Sequence, residues 1–319
     1  MKSALASGYP PYNRQGFLIA LALILLLAPG CSRDADTRVV DFEKTITVAR
    51  PGEGSTGRPT LKVAVGAMVS PKETFVYYRQ LLDYLAGKLG RQVELVQRKT
   101  YAEVSELIGK GRIDLAFICS GPYAVGRDKY GFELLATPEV HGSHFYHSYL
   151  IVNKNSPFNG IDDLKGRVFA FTDPDSHTGK LVPTYWLAER HERPETFFRK
   201  IIFTYSHDNS IVAVAKGLVD GAAVDGLVWE YYQRTNPALT SATRVIRKSE
   251  PYGMPPLVAS GSVPPDLKER VRELILTMHE DPEGRQILQN LLIDRFIAPR
   301  EEWYDSIRQL EQRVSALNE

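Results

Sequence analysis

Between residues 61 and 224, short apolar runs alternate with amphipathic stretches. The runs 61–67, 92–96, 113–118, 134–140, 145–152, 166–171, 201–205 and 221–224 have strand length and little polar alternation, as expected of strands buried on both faces. Apolar positions three and four apart predict helices over 101–109, 182–190, 209–216 and 227–234, with others over 77–89 and from 123 onward. Strands and helices in turn predict an α/β fold on parallel sheets. Proline- and glycine-containing breaks at 153–160 and 251–256 divide the pattern. The expected organisation is a first lobe of 61–152 plus 255–319 and a second of 153–254. Helices over 265–279, 283–292 and 301–317 are expected to pack back on the first. In the last of these, Trp303, Ile307, Leu310, Val314 and Leu317 form one apolar stripe, which reads as core packing and not as a coiled coil.

Composition changes the picture little. With 319 residues, 43% hydrophobic and 24% charged, the chain can bury two cores. A net charge of +1, with no basic run interleaved with aromatics, excludes nucleic acid as a partner class.

The N-terminus changes it more. Lys2 and Arg14 precede the apolar run 17–28, which ends in Pro29-Gly30-Cys31. This is a signal-peptide pattern, too short for a comfortable membrane span, and it places the mature chain outside the cytoplasm. Cys31 follows it as a lipidated cysteine would, so residues 1–31 read as signal peptide and lipobox, Cys31 as a lipid anchor and 32–60 as a tether. Ala28 stands where lipoboxes carry leucine, which leaves ordinary cleavage after Gly30 as the alternative.

Candidate chemistry starts at Thr172-Asp173-Pro174-Asp175-Ser176-His177-Thr178-Gly179-Lys180-Leu181, between a strand and a helix. Pro174 and Asp175 turn the chain, Ser176 suits an N-cap, and small Gly179 lets a ligand approach the N–H groups of the first helical turn. The segment is either an anion cradle or an ordinary capped helix. Ser206-His207-Asp208-Asn209 occupies the same place in the next unit, and Asp225 ends the strand after it. Ligands of open α/β sheets bind beyond the carboxyl ends of strands, which makes Ser176, Thr178, His207 and Asp225 candidate neighbours. Cys119 ends another strand; it reads as a small buried hydrophobe or as a thiol offered to a soft ligand. His141, His144 and His147 alternate faces on a strand, so no metal site or other cofactor is expected. Ser176, His207 and Asp208 lack a nucleophile elbow, and no enzyme is expected.

Together, 114–123 (Asp-Leu-Ala-Phe-Ile-Cys-Ser-Gly-Pro-Tyr), Ser176-x-Thr178-Gly179, Ser206-His207-Asp208 with Ala213-Val214-Ala215, and 219–225 (Val-Asp-Gly-Ala-Ala-Val-Asp) resemble the phosphate/phosphite/phosphonate-binding proteins of ABC importers. The resemblance covers about 61–310 and implies a type II periplasmic binding fold, two α/β lobes hinged around a ligand cleft. It implies that Ser176, Thr178 and nearby N–H groups, including that of Gly179, hold ligand oxygens. His207 donates to the same ligand, Asp225 accepts an O–H, and Tyr123, or Ser120 and Gly121, close from the first lobe. Where aminoalkylphosphonate binders carry a glutamate for the amine, this chain has Leu227. The expected protein is a periplasmic or cell-surface monomer that binds a small tetrahedral oxyanion and delivers it to an ABC permease. The alternative is a sensory binding protein, arsenite-responsive through Cys119, that signals to a membrane histidine kinase.

Overall fold

The computed structural model describes residues 59–66, 68 and 70–318, all within one compact unit spanning 45–319. The apolar run 17–28, Cys31 and the tether up to residue 58 lie outside the described residues.

The chain runs β1 (Thr60–Val65), α1 (Pro71–Leu89), β2 (Gln92–Val96), α2 (Tyr101–Gly109), β3 (Leu115–Phe117), α3 (Ser120–Tyr130) and β4 (Glu133–Glu139). Local chemistry sets these boundaries. Pro71 starts α1 and Gly90, at φ 64°, ends it, while Thr100 and Glu103 form a reciprocal capping box on α2. A two-residue strand β5 (Phe145–Tyr146) then leads to β6 (Ser148–Asn153), β7 (Val168–Phe171), α4 (Val182–Ala188), β8 (Lys200–Phe203), α5 (His207–Ala215), β9 (Gly221–Asp225), α6 (Gly226–Thr235) and β10 (Thr243–Lys248). The return passes through β11 (Tyr252–Gly253) into β12 (Leu257–Ala259), α7 (Pro265–Thr277), α8 (Pro282–Asn290), β13 (Arg295–Ile297) and α9 (Asp305–Asn318).

Two sheets result. The first has the order β13-β4-β12-β3-β1-β2 and the second β10-β6-β9-β7-β8. Each keeps a parallel core, β2, β1 and β3 in one and β8, β7 and β9 in the other, but antiparallel strands flank both, so the sheets are mixed where parallel ones were expected. β5 and β11, paired antiparallel, are the two crossings.

The first crossing therefore lies earlier than the pattern suggested. Residues 148–153 belong to the second lobe, because β6 pairs with β9 and β10. The expected strand 145–152 is two elements that serve hinge and sheet, and an apolar run does not record such a break. Four strands, β10 to β13, had no expectation; three of them are two or three residues long, below any readable period. α9 buries Ile307, Leu310 and Val314, whereas Leu317 is exposed.

The carboxyl ends of β1, β2 and β3 face those of β7, β8 and β9, and the lobes touch there. His207 N–H donates to Met68 O at 2.9 Å, Ser70 N–H to Asp208 Oδ1 at 2.9 Å, and Tyr101 N–H to Asp173 Oδ2 at 3.2 Å. The last of these satisfies an orphan N–H of the first turn of α2 with a carboxylate from the opposite lobe. This is a closed arrangement. Among the described residues no helix is long and apolar enough to cross a membrane.

Candidate ligand-binding site between the lobes

Three strand ends of the second lobe build one wall. After β7, Asp173 Oδ1 accepts from Asp175 N–H at 2.8 Å, and Ser176 Oγ accepts from Gly179 N–H at 3.0 Å. Residues His177–Leu181 wind as a π-helical turn into α4, so Ser176 caps a wider first turn than an α-helix would make. Gly179 is required by contact. A Cβ there would lie 1.7 Å from Thr172 Oγ1 and 2.8 Å from Thr172 Cβ. After β8, Ser206 caps α5 and places His207 in its first turn. After β9, Asp225 caps α6, its Oδ1 accepting from Leu227 N–H at 2.8 Å and Val228 N–H at 3.4 Å.

These caps bring side chains together. His207 Nδ1 accepts the backbone N–H of Asp225 at 2.9 Å, which leaves the proton of the neutral ring on Nε2. Burial pushes the imidazole down to about 3, so the ring is neutral at physiological pH. Its Nε2 is buried without a partner in the protein. The Thr178 carbonyl accepts from Ser148 Oγ at 2.6 Å, and Ser148 is the register partner of Asp225, which ties Thr178 to the same spot. Thr178 Oγ1 is likewise buried and unpartnered. From the first lobe, Tyr101 packs with Met68 and Cys119. Its hydroxyl lies beside Ser176, outside hydrogen-bonding geometry, and within electrostatic reach of Cys119, Asp173 and, more weakly, Asp225. Burial raises this phenol well above its usual range, so it stays a donor.

An unpaired buried polar group costs about 1–3 kcal/mol, so three donors tied to the neighbourhood of one carboxyl are a costly arrangement unless the oxygens of a ligand accept from them. Burial also pushes the Asp225 carboxyl up to about 7, opposed by the two capping N–H groups. Near neutrality it can hold a proton toward an anionic ligand or accept one from it.

The first-lobe residues expected at the site divide. Cys119 is buried beside Tyr101, its sulfur receives the N–H groups of His177 and Gly121, and burial pushes the thiol up to about 12, so it is neutral. Gly121 meets the second lobe directly, where an added Cβ would sit 3.1 Å from His177 Cβ. Ser120 is spent on the hinge, where Oγ pairs with the Tyr146 hydroxyl. Tyr123 is not brought to the cluster. α3 begins at Ser120, which turns Tyr123 toward the C-terminal segment; its hydroxyl donates to Glu301 and its ring meets Tyr304 edge-on at 4.6 Å. Asp208 is engaged by Ser70 and the Nδ1 of His207 by Asp225, so Ser176, His207 and Asp208 form no relay. His144 packs tilted against Trp303, ring centroids 4.1 Å apart, and His147 Nδ1 bonds Ser249 O at 2.7 Å; the described residues contain no metal-binding group of three.

Next to the cluster a chamber of about 450 Å3 opens between the lobes. Asp225 and Met68 border it, Val65, Tyr78, Phe117 and Ile293 line it from one lobe and Leu227 and Val228 from the other, with Gln233 and Arg234 among its polar lining.

Residues 63–304 match the family model described as the periplasmic substrate-binding protein of the phosphonate ABC transporter. The chain belongs to this family. Its relatives include a phosphonates-binding periplasmic protein of Escherichia coli, 26% identical over 83% of this chain and 79% of that one. The phosphate-import protein PhnD of Mycolicibacterium smegmatis is 32% identical over 66% of this chain and 65% of that one. Among solved structures, a binding protein component of a phosphonate ABC transporter from Pseudomonas aeruginosa superposes with a TM-score of 0.78, at 24% identity, over 82% of this chain and 88% of that one. PhnD1 from Prochlorococcus marinus in complex with methylphosphonate gives 0.72, at 22% identity, over 80% and 98%. The fold is thus of the type II periplasmic binding class, in a family that binds substrate for transport and is not a family of enzymes. Sequence reasoning missed Tyr101, Tyr78 and Met68 in this site. Tyr101 read only as the first residue of a helix, and nothing along the chain signals that the turn before that helix faces the other lobe.

Proposed function

We propose that this member of the phosphonate-binding family is an extracytoplasmic lipoprotein that captures a small tetrahedral oxyanion, of the phosphate, phosphite or phosphonate class, between its lobes. It delivers the ligand to an ABC permease. The observation that carries the reading is the set of buried, unpartnered donors, Tyr101 Oη, Thr178 Oγ1 and His207 Nε2, gathered near the Asp225 carboxyl. Neutral donors, His207 among them oriented by a backbone bond, suit an oxyanion, because charge-assisted hydrogen bonds are roughly twice as strong as neutral ones. Ser176 contributes through the turn it caps, and the Gly179 N–H stays committed to it. Hinge motion about β5 and β11 encloses the ligand, with Gly121 meeting the cradle at closure. Acylation of Cys31 holds the protein at the membrane, and it acts there as a monomer.

Thermal unfolding against phosphate, phosphite, methylphosphonate, sulfate and arsenite tests this, since a ligand that binds only the native state raises its stability. A rise with a phosphorus oxyanion, lost in His207→Ala and Thr178→Val, is expected. A rise with arsenite alone, lost in Cys119→Ser, would contradict the oxyanion reading. Cys31→Ser should release the protein from the membrane fraction.

A further inference from the structure

The donor cluster accounts for an oxyanion head and for nothing larger, yet the cleft continues past it. The chamber has the size of a site for a whole small molecule, about 300–1,000 Å3, and not of a pocket for a bare tetrahedral anion. Its character changes abruptly at Asp225. On one side lie Thr178, His207 and Tyr101 with their unpartnered polar atoms; on the other the lining is mostly apolar, Val65, Phe117 and Ile293 from one lobe and Leu227 and Val228 from the other, with Glu230 and Arg234 also on it. Both lobes contribute to this apolar lining, so it is completed by the same closure that encloses the head. A ligand that ends at its oxyanion would leave these surfaces against solvent, with no hydrophobic gain from closing.

We propose that the ligand is an organophosphonate with an uncharged apolar substituent of several carbons, its head on the Tyr101, Thr178 and His207 donors and its tail in the chamber lined by Leu227, Val228 and Phe117. This rests on the oxyanion reading of the same site and adds the identity of the substituent. The tail runs past Asp225, whose Oδ1 is occupied by the first N–H groups of α6. Leu227 projects from the first turn of that helix into the chamber, and an ammonium placed against it would give up water for only the Asp225 carboxyl and Glu230, whose Oε1 already accepts from the Tyr149 hydroxyl.

Calorimetric titration of the full chain with phosphate and with methyl-, n-propyl-, n-butyl- and n-hexylphosphonate decides the matter. Affinity is expected to rise roughly threefold to fourfold per methylene while the tail stays within the chamber. 2-Aminoethylphosphonate, close in size to the n-propyl compound but charged, should bind at least about tenfold more weakly than it does. In Leu227→Gln the hexyl-to-methyl ratio should fall. A series that is flat or declines beyond methylphosphonate overturns the apolar-tail proposal and leaves the oxyanion reading intact. No binding of any member, phosphate and methylphosphonate included, overturns both.

Discussion

The backbone N–H of Asp225 donates to Nδ1 of His207 across 2.9 Å, joining the end of β9 to the first turn of α5. One bond thereby selects the tautomer of a buried imidazole and aims its only N–H away from the backbone. Burial keeps that ring neutral, so it enters the site as a donor and not as a cation.

Removing this donor is expected to weaken oxyanion binding by about 1.5–3 kcal/mol, the worth of a hydrogen bond to a charged group. His207→Ala should show this by titration calorimetry. Nitrogen-15 NMR of labelled histidine should find the His207 proton on Nε2 from pH 5 to 8.

Gly179→Ala places a methyl group where Thr172 Oγ1 now lies, 1.7 Å away. The strand end and the turn must separate. A loss of about 1–3 kcal/mol in urea unfolding is expected, as for overpacking elsewhere, together with weaker ligand binding. Thr172→Ser paired with Gly179→Ala should not restore the protein, because the hydroxyl remains.

Gly121 offers a test of closure separate from stability. Its missing side chain leaves room for Asp175 O and for His177 N, each 3.2 Å from where a Cβ would be. Gly121→Val should hold the lobes apart, so small-angle scattering should show no compaction with ligand and affinity should fall, with unfolding of the ligand-free protein little changed.

Protonation sets a fourth expectation. The Asp225 carboxyl is raised from 3.8 to about 7 by burial, so between those values the native state holds a proton the unfolded chain has lost. Its contribution to stability therefore decreases as pH rises through this window. His177 and His207, lowered from 6.5 to about 3 by burial, act in the opposite sense: stability they confer above pH 6.5 is lost as pH falls toward 3. Asp225→Asn keeps an oxygen for the α6 cap and removes the opposing proton. Its stability should rise more steeply than wild type between pH 4 and 7, by up to about 1.4 kcal/mol per pH unit. Equal slopes in the two proteins would mean that the carboxyl is ionised in the folded state.

Much of this architecture is legible along the chain, and the illegible parts share a cause. The cradle, the His207 loop and Asp225 announce themselves because each is a polar cluster between a strand-like and a helix-like run, and capping chemistry is local. Tyr101 and the hinge assignment of Ser120 are set by how the lobes meet, which no local period encodes. Tyr123 shows the same limit from the other side. It stands in a family-like motif, yet Glu301 and Tyr304, far along the chain, claim its hydroxyl and its ring. Strands β12 and β13 were invisible because three residues of apolar sequence fit a turn or a helix end as well as a strand.

A crystal structure of the protein grown with methylphosphonate tests the central claim most directly. The account predicts the phosphonate next to Asp225, with its oxygens within hydrogen-bonding distance of His207 Nε2 and Thr178 Oγ1 and the Tyr101 hydroxyl directed at it. A phosphonate bound elsewhere, with His207 Nε2 and Thr178 Oγ1 still without partners, would contradict it.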